Sequence, residues 1–295
     1  MESGDLKIFQ AVAREKSITK AADALNYVQS NVTNRIHKLE SHLNTKLFYR
    51  TNRGMVLTAS GENVLAYANN ILHLLKEAEK SAQLTEYPKG PLRLGSLETT
   101  AAIHLPQLLA AYHNRFPEVD LSLITGDTHT LVQKVLHYEL DGAFVYGPVE
   151  HPDLKQIAAF DEELILISET EESTLNELLQ RPLLFFGAGC SHRARVERLL
   201  NEEGILQHKM MEFGTLEAIL GGVSAGLGIS LLPKSTLSHL RNKENLYIHT
   251  LPEPYREMNV SFIYRKDLFA TCAFQKLIDD LKKCRMVRFD WSKEE

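Results

Sequence analysis

Seven polar residues crowd one short stretch: Gln29, Ser30, Asn31, Thr33, Asn34, Arg35 and Lys38. Amides and hydroxyls of this kind hydrogen-bond base edges in a major groove, and cations hold phosphate. They alternate with Val32, Ile36, Leu39 and Leu43, an i, i+4, i+7, i+11 stripe that faces a core. The run therefore predicts a helix with one buried and one polar face. Further on, Arg50 and Arg53 sit in FYRTNRGMVLT, a hairpin pattern around the turn Asn52-Arg53-Gly54. Placed beside a groove, both arginines would reach phosphates, which sets affinity and register rather than sequence choice.

A second set of polar residues lies farther along, where apolar runs give way to helices. Ser96, Thr99 and Thr100 follow LRLG; Tyr146 ends GAFVY; Ser191, His192 and Arg193 follow LLFFG; Thr215 follows MMEFG. Ligands of open α/β sheets bind outside the carboxyl ends of strands, where helix N-termini favour an anion. Glu98 and Glu217 share these loops, so a ligand carrying both signs, such as an amino acid, fits better than a bare anion.

Catalytic chemistry has little support. Gly222-Val223-Ser224-Ala225-Gly226 matches GxSxG, but it follows a helical stretch and precedes a strand, the reverse of a nucleophile elbow. Cys190, beside His192 and Arg193, is placed where a thiolate is favoured. The twelve histidines form neither HExxH nor a zinc spacing, and the three cysteines form no CxxC pair. We expect no enzyme, no metal and no cofactor.

The elements that would position these groups can be read in order. Leu6–Lys16 carries Leu6, Phe9, Val12 and Ala13 on one face. Ser17 or Thr19 caps a second helix with Ala21, Ala22 and Leu25 inward, and Asn26-Tyr27 break the period before the polar helix. Two amphipathic helices need not bind DNA. Charge favours it here: residues 1–60 hold nine Lys or Arg against five Asp or Glu, +4 locally in a chain of −5.

Residues 1–62 resemble the winged helix-turn-helix of LysR-type transcriptional regulators, through LKIFQAVAREKSITKAADALN and VQSNVTNRIHKLESHLNTKLFYRTNRGMVLTASG. Asn31, Thr33 and Ser60 depart slightly from the usual pattern. In the following helix Val64, Ala68, Ile71, Leu75, Ala78 and Ala82 recur at steps of four and three, a coiled-coil seam whose economical partner is a second copy. The resemblance implies that this helix dimerises.

Two prolines and a glycine in TEYPKGP then mark a hinge. Beyond it strands alternate with helices, giving a doubly wound α/β pattern in two similar units. The resemblance implies a two-lobed effector-binding domain like the periplasmic binding proteins. Its loops at Ser96–Thr100 and Ser191–Arg193 would face each other across a cleft that takes a small carboxylate-bearing metabolite. Some relatives sense peroxide with a cysteine near Cys190, but they need a resolving cysteine that the following loop lacks.

The expected organisation is thus a winged helix-turn-helix at 1–58, a dimerisation helix at 59–86 and an effector-binding domain at 87–295, with lobe I at 91–160 and 266–284 and lobe II at 161–265. The chain should cross between lobes near Phe160 and return near Arg265. The expected partners are double-stranded DNA, a small effector and a second copy, as dimer or tetramer. MESGDLKIF has neither the basic nor the apolar region of a secretory signal, and no apolar run suits a bilayer, so we expect a cytoplasmic protein with no membrane partner.

Overall fold

The structure is a computed structural model. It describes the chain apart from residues 52–53, 83–86, 172–173, 187–190, 206–208, 238–244 and 287–295, and apart from the side chains at 76–77, 80–82, 191–195, 254 and 284–286. It divides into two compact units, Met1–Leu84 and Thr85–Glu295.

The first unit runs α1 (Ser3–Glu15), α2 (Ile18–Leu25), α3 (Gln29–Leu43), β1 (Phe48–Thr51), β2 (Gly54–Leu57) and α4 (Ala59–Ala82). Phe9, Val12, Ala21, Val32, Ile36, Leu39 and Leu47 fill its core, each at most 2% exposed. Ser17 caps α2 by accepting from the Lys20 amide. Asn26 ends α2 and Asn44 ends α3, both in the left-handed conformation that asparagine tolerates. A two-residue loop joins β1 to β2, with Thr51 opposite Gly54. Gly54 has φ +115, and a Cβ there would lie 2.4 Å from the Lys16 carbonyl oxygen. Only glycine lets this wing lie so close to the end of α1.

The sequence motif LE…LF has a concrete basis. The buried Glu40 carboxylate accepts from the Leu47 amide at 3.0 Å, the Phe48 amide at 3.4 Å and Lys46 Nζ at 2.8 Å. Burial pushes this carboxyl up; Lys46 and the two amides outweigh it and leave the pKa below the ordinary value. The closing LT.SG is equally specific. Thr58 caps α4 by accepting from the Gly61 amide and donates to the Lys46 carbonyl.

The expected seam of α4 divides between two tasks. Val64 and Ala68, with Leu65 and Leu72, pack into the unit's own core, because the first turns of α4 are needed to cover α1. Ile71, Leu75 and Ala78 are exposed, and Tyr67 (71%) and Leu74 (64%) join them. The exposed stripe is therefore Tyr67, Ile71, Leu74, Leu75 and Ala78, rotated from the expected one. The Ala82 side chain lies outside the described residues.

In the second unit the elements are β3 (Gly90–Ser96), α5 (Glu98–Ile103), α6 (Leu105–Arg115), β4 (Val119–Thr125), α7 (Thr128–Leu136), β5 (Gly142–Tyr146) and β6 (Leu154–Ser168). There follow α8 (Leu175–Leu179), β7 (Leu183–Phe186), α9 (Ser191–Glu202), β8 (Met210–Phe213), α10 (Leu216–Ser224) and β9 (Ser230–Pro233). The unit closes with β10 (Tyr247–Thr250), α11 (Glu253–Arg256), β11 (Glu257–Arg265) and α12 (Cys272–Met286). α5 and α6 are separated at His104, and Pro106 opens α6. Lys234–Leu237 forms a short 3-10 turn after β9.

β4, β3 and β5 pair in parallel, and β11 joins antiparallel to β5. β6 pairs with β11 over its first ten residues, then with β9 and β10 over its last five. One continuous strand thus serves both lobes. Val260 lies opposite Phe160 and Arg265 opposite Leu154. A crossing at Phe160 therefore returns at Val260, five residues before the expected point, because the two connecting strands are antiparallel neighbours. α12 belongs to the first lobe, where Phe274, Leu277 and Leu281 pack on Phe144 and Phe262 and the Tyr112 hydroxyl donates to the Ala273 carbonyl.

Candidate functional site

Buried Val32, Ile36 and Leu39 fix how α3 is rotated. This turns Ser30, Asn34, His37 and Lys38 fully outward, with Gln29 exposed at the helix start and Asn31, Thr33 and Arg35 half-buried along its flanks. The expected polar face exists, but its members are unequally available. The Thr33 hydroxyl donates to the Gln29 carbonyl at 3.0 Å, within its own helix. Arg35 Nη1 meets Asp5 Oδ1 at 2.9 Å, and Asp5 is 1% exposed. Arg35 thus clamps α1 to α3 before any phosphate arrives. Lys38 lies 3.7 Å from Glu2, an exposed pair that phosphate can displace.

On the wing, Arg50 Nη2 donates to His37 Nε2 at 3.3 Å, and His37 Nδ1 lies 3.7 Å from Glu40. His37 belongs to the outward face and ties it to the wing, yet the sequence reading passed over it. Its spacing from Ser30 and Asn34, i+7 and i+3, was the available signal. Arg53 lies outside the described residues.

In the α/β unit the expected ligand residues at the ends of β3 and β5 come together. Thr99 Oγ1 lies 3.1 Å from the Tyr146 hydroxyl, and Thr99 and Thr100 are both buried. Ser96 differs from the expectation: it is 0% exposed and its hydroxyl donates to the Leu97 carbonyl, so it supports the loop from beneath. Thr215 is exposed and caps α10 through the Ala218 amide. Ser191 opens α9, but its side chain and those of His192 and Arg193 lie outside the described residues, as does Cys190.

A charged cluster that the sequence did not announce sits beside Thr100. His104 Nε2 bonds Glu162 Oε1, the Ser235 hydroxyl donates to the same oxygen at 2.7 Å, and the His104 ring stacks on Phe160 with centroids 4.4 Å apart. Next to it, Lys234 holds the Glu163 carboxyl below the usual carboxylate range, with Arg256 adding to the effect. The cluster ties the α5–α6 break to the strand shared by both lobes and to the 3-10 turn of the second.

Ser224 of the GxSxG pattern ends α10, and Gly226 follows at φ +78 before β9. The order is helix, turn, strand, which gives no elbow for a nucleophile.

A winged helix-turn-helix joined to a two-lobed α/β domain defines a DNA-binding transcription regulator with an effector-binding domain. Residues 3–62 match the bacterial regulatory helix-turn-helix protein, lysR family, and residues 85–284 match the LysR substrate binding domain; the chain belongs to the LysR family. It is 62% identical over 282 residues to the HTH-type transcriptional regulator YofA of Bacillus velezensis, covering 96% of this chain and 98% of that one. It is 48% identical to GltR of Bacillus subtilis over 94% of this chain and 95% of the other. Among solved structures, a full-length OxyR variant from Pseudomonas aeruginosa superposes with TM-score 0.72 at 25% identity, covering 98% and 97% of the two chains. CbnR, a LysR family regulator, superposes at 0.66 and 23% over 96% and 99%. These relatives are transcriptional regulators, not enzymes. Among the described residues, no helix is long and apolar enough to cross a membrane.

Proposed function

We propose that a dimer or tetramer of this cytoplasmic chain presents paired α3 helices to an interrupted palindrome, and that a small effector between the α/β lobes sets which DNA geometry is held. The observation that carries the first part is the rotation of α3, which leaves Ser30, Asn34 and Lys38 outward beside Arg50. Gln29, Ser30, Asn31, Thr33 and Asn34 are the base readers, and Arg35, Lys38, Arg50 and Arg53 hold phosphate, Arg35 with the donors that Asp5 leaves over. The exposed stripe Tyr67–Ala78 on α4 supports pairing with a second copy. Gln29→Ala should weaken binding by roughly 1–3 kcal/mol at particular bases only. A uniform loss across duplex sequences would remove Gln29 from the readers.

For the effector, the reading is a small carboxylate or zwitterion held by Thr99, Thr100 and Tyr146 of one lobe and by Ser191, His192, Arg193 and Thr215 of the other. Support comes from the buried Thr99 and Thr100 in the first turn of α5, just after β3, a turn that also carries Glu98. An effector shifts the equilibrium only by its differential affinity for the two lobe arrangements. Thermal stability measured against a panel of carboxylates and amino acids tests it, since a ligand of the folded state raises stability with its concentration. A response lost in Thr100→Ala and kept in Arg50→Ala is expected. A response kept in Thr100→Ala would move the effector elsewhere.

A further inference from the structure

Val28 stands at the N-cap of α3, and nothing in its own fold explains it. The other helices of the first unit begin with polar caps: a Glu2–Asp5 capping box for α1, Ser17 for α2 and Thr58 for α4. Val28 offers no side-chain hydrogen bond, so the Asn31 and Val32 amides reach only its carbonyl and α3 lacks a side-chain cap, a less stable choice than serine, threonine or asparagine. Four residues before Val32, it would extend the buried stripe if it were helical. Instead its backbone is extended (φ −75, ψ 143) and its side chain is 69% exposed. An apolar group is thus held in water at the start of the helix that reads DNA, next to the exposed Gln29 and Ser30.

We infer that Val28 is a specificity-determining residue whose methyl groups contact the C5-methyl of one thymine in each half-site. The inference rests on the proposed seating of α3 in the major groove. Valine cannot bond phosphate or a base edge, and the apolar feature of that groove is the thymine methyl. Continuity with the Gln29–Asn34 face selects DNA over a protein partner as the occupant.

The full-length chain and a duplex selected by it from a randomised pool provide the test. Each thymine is replaced in turn by deoxyuridine, which removes only the methyl. One thymine per half-site should show about fourfold weaker binding when replaced, near the value of one buried methyl. Val28→Ser removes both valine methyls and supplies a cap oxygen. It should melt no lower than the wild type, still bind the duplex, and no longer distinguish thymine from deoxyuridine at that position. Equal discrimination by wild type and Val28→Ser overturns the inference, as does a wild type indifferent to every replacement. A change in sedimentation of Val28→Ser without any change in DNA binding also overturns it and assigns the residue to a protein contact. Failure of the wild type to enrich any duplex would instead overturn the seating of α3 itself.

Discussion

The two units handle their polar groups in opposite ways. In the first, the buried Glu40 bonds residues only six to eight positions away, and the longer Asp5–Arg35 clamp spans thirty. Of the groups proposed to meet DNA, Gln29, Ser30, Asn34 and Lys38 stand exposed on a single helix. In the α/β unit several polar side chains find remote partners. Thr99 meets Tyr146 across 47 positions, His104 meets Glu162 across 58, and Ser235 meets Glu162 across 73. A duplex is large and must be met by a convex, hydrated face, whereas a small molecule is gripped by groups withdrawn from water.

The largest effect expected from this contrast lies at Glu40. Glu40→Ala leaves the buried Leu47 and Phe48 amides without their acceptor and should destabilise the first unit by about 3 kcal/mol. Hydrogen exchange should quicken at those two amides, duplex binding should fall, and exchange in β3 and β5 should not change. Faster exchange in the α/β unit as well would break the distinction between the two. A smaller effect is expected at Arg50. Arg50→Ala should lower affinity for all duplexes alike and reduce the salt slope by about 0.9. An unaltered slope would confine Arg50 to its contact with His37.

Acid should separate the units more finely. Glu40 has a folded pKa below 4.5, so its contribution is complete above 4.5 and is lost as pH falls through the lower, folded value. In the α/β unit the Arg265 guanidinium and then the Tyr138 hydroxyl, against some burial, hold Asp267 at about 2. This clasp is complete above 3.8 and is lost on approach to 2. Exchange followed down the pH scale should show the Leu47 and Phe48 amides loosening as Glu40 protonates and the α7–β11 contact loosening as Asp267 does, each on its own titration. Asp267→Asn should abolish the second dependence and spare the first; loss of both together would show a common acid transition.

The same contrast explains what could be read from sequence. The first unit was legible because its motifs are the local contacts themselves. Ser17, Asn26, Glu40, Thr58 and Gly61 each act on neighbours within a few turns, and the periodicity of Val32, Ile36 and Leu39 rotates α3 correctly. The rotation of the α4 stripe was hidden, because Val64 and Ala68 suit a foreign helix and their own core equally well. In the second unit the alternation of strands and helices was clear. The return at Val260 was not, since it depends on the antiparallel register of β6 and β11, nor was the His104–Glu162–Ser235 cluster, whose members lie 58 and 73 positions apart. Tyr247–Thr250 escaped notice because an edge strand with exposed Tyr247 and Ile248 has no buried face to give it a period.

Because α4 is unbroken from Ala59 to Ala82, its core-packed beginning and its exposed stripe share one helical phase. With the stripe gripped by a second copy, each residue added between Leu72 and Leu75 turns the wing and α3 about the helix axis by about 100°. Four added residues bring them within about 40° of the starting orientation, displaced by one turn. On the proposed pairing the helix would act as a keyed shaft, its residue count gauging the spacing and facing of two DNA half-sites.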